Sequence, residues 1–98
     1  MTIETSEQAL HAVSELVGLP ESVLRVRACP SLRAFYVAEP TRGGIQVMIG
    51  HDASVLFAAS AVDPDTVESE FGAGRRTDPD KFENMRERNL AHPDARIK

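Results

Sequence analysis

Two periods run through the apolar positions of this chain. Between Arg33 and Ala61 they gather into three short runs, Ala34 to Ala38, Ile45 to Ile49 and Val55 to Ala59. Runs of that length, rich in Val, Ile, Phe and Tyr, read as strands. The connection from Glu39 to Gly44 holds Pro40, which cannot donate to a ladder, and two glycines, Gly43 and Gly44, which accept positive φ. That predicts a hairpin. In the second connection Gly50 closes a strand, and Asp52 or Ser54 can bond neighbouring backbone groups to hold a turn. The three runs therefore predict an antiparallel meander. In its middle strand Ile45, Val47 and Ile49 share one face and Gln46 and Met48 the other, and the first face reads as core.

On either side of the meander the period is helical. Thr5 and Gln8 fit a capping box for a helix over Ser6 to Val17, with Leu10, Val13, Leu16 and Val17 on one stripe and Gly18 and Pro20 as the stop. Its stripe is expected to lie across the sheet. Glu21 and Ser22 fit a single helical turn. Val23 to Ala28 alternates as a strand until Cys29, Pro30 and Ser31 break it. After the meander, Asp63 is a natural N-cap, Pro64 suits the first helical position, Gly72 is placed to end the helix, and Val67 and Phe71 face inward. A second start at Thr77-Asp78-Pro79-Asp80 leads into Lys81 to Leu90. Only Phe82, Met85 and Leu90 are apolar there, too few for a wide buried stripe, so this helix is expected to be peripheral or completed by a partner. The pattern predicts one α+β domain over residues 1–90, with a frayed tail at 91–98. Its centre is a single antiparallel sheet of about four strands with the N-terminal helix on one face and one or two short C-terminal helices.

Composition narrows the function classes. At 98 residues the chain can bury one core. No apolar run is long enough to cross a bilayer, and MTIETSEQ lacks the basic and apolar regions of a signal peptide, so a cytoplasmic location without membrane attachment is expected. A single cysteine, Cys29, agrees with a reducing compartment. The net charge is −4, and the acidic groups concentrate before residue 75, which argues against nucleic acid as a partner.

Candidate chemistry is sparse. Gly72-Ala73-Gly74-Arg75-Arg76 could present backbone N–H groups and guanidinium groups to an anion, with Arg42 joining if the loops converge. It does not complete a P-loop or a dinucleotide fingerprint, and a helix stop followed by solvated arginines explains it as well. Cys29 would be a nucleophile beside His11 or His51, and otherwise a small buried hydrophobe. His51, Asp52, Asp63, Asp65, His92 and Asp94 match no metal-ligand spacing, so neither a metal nor a cofactor is expected, and no catalytic residue is assigned. The carboxylates Asp63, Asp65, Glu68 and Glu70 read as a solvated helix face that could steer a basic partner. Phe35 and Tyr36 fall on opposite faces, so one of them points away from the first helix.

The order helix, strand, meander, short helix, with GGIQVMIGHDASVLFAAS at its centre, resembles the small immunity proteins of bacterial polymorphic toxin systems, of the YrhB-like (immunity protein 35) type. The resemblance spans Ser6 to Phe71; where that family carries a Trp in its aromatic strand, this chain has Phe35 and Tyr36. It implies a non-catalytic protein that binds and blocks a toxin. The expectation is a non-enzymatic protein-binding domain. Asp63, Asp65, Glu68 and Glu70 would steer the partner, and Phe82 with Met85 or an open strand edge would supply the contact. The rivals are an anion- or nucleotide-binding domain using Arg42, Gly72, Gly74, Arg75 and Arg76, and a structural homodimer or larger homo-oligomer.

Overall fold

The computed structural model describes residues 2–40, 44–59 and 61–91. Helix α1 (Ser6–Val17) opens on the capping box its sequence encodes. Thr5 Oγ1 accepts from the Gln8 N–H at 3.1 Å, and Gln8 Oε1 accepts from the N–H of Thr5 at 3.2 Å. It closes at Gly18, whose left-handed φ of 76° lets its N–H reach Ser14 O. Strands β1 (Arg25–Cys29), β2 (Ala34–Ala38), β3 (Ile45–Gly50) and β4 (Val55–Ala59) follow, then α2 (Pro64–Gly72) and α3 (Glu83–Ala91). The sheet order is β1-β2-β3-β4 with every neighbour antiparallel, so β1 extends the predicted meander by one strand. The fold is α+β around one four-stranded antiparallel sheet.

Two boundaries differ from the pattern for local reasons. Val23 belongs to a 3-10 turn, Glu21–Val23, because its N–H and that of Leu24 bond back to Pro20 O and Glu21 O, so β1 begins at Arg25. Cys29 does not break the strand but pairs with Ala34 as its last rung, and the chain turns only at Pro30–Leu32.

The sheet is buried on both faces, where the alternation had marked one. On the first, Phe35, Val37, Ile45, Val47, Ile49 and Val55 pack against Ala9, Val13 and Val17 of α1. The buried stripe of α1 thus includes Ala9, a small residue that carries little weight in a hydrophobic pattern, while Leu10 and Leu16 flank it half-buried. On the second face, Cys29, Ala34, Met48 and Leu56 meet Val67 and Phe71 of α2. All six residues of β3 are buried as a result. Phe35 points to the α1 side and Tyr36 to the α2 side. Gln46 is buried too and fully used: its Oε1 accepts from Tyr36 Oη at 2.5 Å, and its Nε2 donates to Ala59 O and Val62 O at 2.8 and 2.7 Å. This amide fixes where β4 gives way to α2.

Helix α3 is built into the core, not peripheral. Phe82, in the 3-10 turn Pro79–Phe82 that leads into it, is 1% exposed and meets Phe57 edge to face at 5.7 Å. Farther along, Asn89 is buried and donates from Nδ2 to Val17 O at 2.8 Å, filling a carbonyl at the end of α1. Gly18 makes the crossing close: a Cβ there would lie 2.7 Å from Arg86 O. Of the expected tail, Ala91 closes α3 and 92–98 lie outside the described residues.

Candidate functional site

The edges of the sheet follow from its hydrogen-bond register. Glu39 N–H bonds Ile45 O, so the odd-numbered residues of β2 face β3 and the even-numbered ones face β1. Their partners Arg25, Arg27 and Cys29 turn inward, which leaves the backbone N–H and C=O of Val26 and Ala28 pointing away from the sheet. No hydrogen bond among the described residues covers these groups. The opposite edge is different. Thr77 N–H donates to Val55 O at 2.7 Å, and Thr77 Oγ1 accepts from Phe57 N–H at 2.9 Å. That is a one-residue parallel bridge in which a hydroxyl replaces the carbonyl, and it closes the middle of β4.

Around β1 the side chains are sorted by face. Arg27 reaches across to Glu68 of α2 at 2.5 Å, and its guanidinium lies 5.0 Å from the Tyr36 ring centroid. Arg25 is exposed and bonds only Leu24 O. The acidic cluster is consequently less free than its sequence implies. Glu68 and Glu70 are half-buried and paired, with Arg27 and with Arg75 at 3.2 Å, instead of standing in solvent. Asp63 occupies the N-cap position without a side-chain cap bond, and it and Asp65 are exposed. Of the expected apolar pair, Phe82 is spent inside the chain and Met85 is half-buried.

The arginines of the glycine loop are likewise engaged. Arg76 donates from Nε to Ser54 Oγ and from Nη1 to Phe71 O and Arg75 O, all at 2.8 Å, and lies 3.5 Å over the Phe71 ring. It ties the end of α2 to the β3–β4 turn. Gly72 is the last residue of α2 and Gly74, φ 98°, makes the turn after it. Arg42 lies outside the described residues. Among the described members of this set, Arg76 is turned onto the protein, while Arg75 is exposed and pairs with Glu70 at 3.2 Å.

Cys29, His11 and His51 do not form a nucleophilic pair. Burial, helped by the charge of Glu68, pushes the Cys29 thiol up. His11 bonds Glu21 and Glu15, each at 3.1 Å, and His51 stacks on Phe35 with centroids 6.0 Å apart. No group of three or more His, Cys, Asp or Glu is placed to hold a metal ion among the described residues. No helix among them is long and apolar enough to cross a membrane. A cleft of about 350 Å³ lined by Phe57, Thr77, Lys81, Phe82 and Met85 sits beside β4. The pattern marks Phe82 and Met85 but not their partners, of which Phe57 comes from a strand distant in sequence and Thr77 and Lys81 from the segment just before Phe82.

Among the described residues these features define a four-stranded antiparallel α+β domain with an open sheet edge at β1 and a shallow cleft beside β4. A scan against protein-family models, a search of curated proteins and a search of solved structures each return no match.

Proposed function

We propose that the chain is a non-enzymatic protein-binding domain that takes an extended segment of its partner onto β1. The observation that carries this reading is the outward row of N–H and C=O groups on Val26 and Ala28. Such an edge accepts a strand through backbone bonds worth about 0.5–1.5 kcal/mol each, and flanking side chains then set specificity. A second copy is a poor occupant. An antiparallel pair of β1 strands that engages Val26 and Ala28 sets Arg27 opposite Arg27 of the other copy, a like-charge pair that edges use to prevent self-association. A different protein is favoured over a homodimer. In the immunity-like form of this reading the partner is a basic toxin domain. The net charge of −4 and the exposed Asp63 and Asp65 would speed its approach more than they hold it.

The test is Ala28→Pro. Proline removes the outward N–H while breaking no hydrogen bond within the described domain, and edge positions of this kind tolerate it. Affinity capture from lysate with wild type should retain a partner in near-stoichiometric amount, and Ala28→Pro should lose it with its thermal midpoint little changed. A partner held equally by both proteins rejects the edge as the contact.

A further inference from the structure

The cleft beside β4 is a second feature, at the sheet edge opposite β1 and independent of the strand-addition reading. Its volume, about 350 Å³, lies near the small end of ligand pockets. Its wall is apolar and preformed: Phe82 is locked in the core, and the half-buried Phe57 meets it edge to face. Met85 adds an unbranched thioether that adapts to irregular shapes. The polar lining consists of donors. Lys81 makes no ion pair among the described residues, and its side chain is exposed at the mouth. Thr77 Oγ1 already accepts from Phe57 N–H, while the proton on that oxygen has no acceptor among the described residues. No carboxylate lines the cleft.

From this arrangement we infer that the cleft binds a small monocarboxylic acid with an apolar body. The body lies against Phe57, Phe82 and Met85, and the carboxylate accepts from the Lys81 ammonium and the Thr77 hydroxyl. A carboxylate is the matching head group because it is an acceptor-only anion and the cleft offers one cation and one neutral donor. A doubly charged phosphate ester would bring one charge more than the lining compensates.

The experiment is a titration of the full chain, followed by amide ¹H–¹⁵N correlation spectra, with octanoate, with 4-phenylbutyrate, and with octanol as the uncharged control. Saturable shifts are expected at Phe57, Thr77, Lys81, Phe82 and Met85 for both acids. Octanol should bind about tenfold more weakly, as should octanoate to Lys81→Glu, which alters an exposed side chain and leaves the rest of the spectrum in place. Thr77→Ser, which keeps the hydroxyl, should bind as wild type does. Four results overturn the inference: no saturable shift at millimolar acid, equal binding of octanol, undiminished binding to Lys81→Glu, or shifts centred elsewhere.

Discussion

Gly18 does two things that no other residue could do together. It ends α1 in the left-handed region, and it lets the backbone of α3 pass where a Cβ would collide with Arg86 O. Gly18→Ala should therefore destabilise the domain by about 2 kcal/mol or more, combining left-handed strain with the displaced helix, read as a lower urea midpoint at unchanged slope. Ala53 is the reverse case, a non-glycine at φ 68° in the β3–β4 turn. Ala53→Gly should raise the midpoint modestly, since relief of roughly 1 kcal/mol of strain exceeds most of the added chain entropy. Cys29 should react slowly with thiol reagents until denaturant is added, because its buried thiol resists ionisation. The capping box of Thr5 and Gln8 was legible because both partners lie within one helical turn. The partners of Asn89, Gln46 and Arg76 were not, since each side chain meets a backbone or hydroxyl oxygen that only the tertiary fold brings near.

Among elements, the strands were the most readable and α3 the least. Three β-branched and aromatic runs between turn residues left little choice of structure, and their register followed from the turns. Burial of the second face was hidden because it depends on α2, whose inward side is only Val67 and Phe71. For α3, the scarcity of apolar residues suggested a peripheral helix, whereas a single Phe and a buried Asn anchor it. The difference has a measurable consequence. Truncation after Thr77 removes Phe82, whose loss alone should cost about 3–5 kcal/mol, a large part of a domain's usual 5–15 kcal/mol. The shortened chain should lack a cooperative thermal transition, where a peripheral helix would leave one intact. The open β1 edge was anticipated only as a kind of contact; its location required the sheet order, which alternation alone does not supply.

For the molecule as a whole, two of the described surface sites tie stability to pH with opposite sign. Glu21 and Glu15 hold His11 above its ordinary 6.5. A raised native pKa means that the protonated form favours the fold, so this contribution is complete below about pH 6.5 and fades as pH climbs through the raised value. Bonds from Ser54 hold Asp52 below its ordinary 3.8, so its contribution is present above that pH and lost on acidification. His11→Gln should accordingly lower the thermal midpoint near pH 5.5 and leave it unchanged near pH 9. Asp52→Asn should lower it at neutral pH and not near pH 2. Both effects should be small, because the groups are exposed and salt screens them.

Thr77 stands downstream of all four strands, yet it closes the middle of β4. A partly folded chain that has not seated Thr77 therefore leaves Val55 O and Phe57 N–H unpaired at the second edge. Such a chain has two open edges and a heightened tendency to join its neighbours. Replacing Thr77 by Val, which keeps the shape and loses the acceptor, prolongs the exposure into the finished protein. Its signature would be a fall in soluble yield at high expression out of proportion to any change in melting temperature.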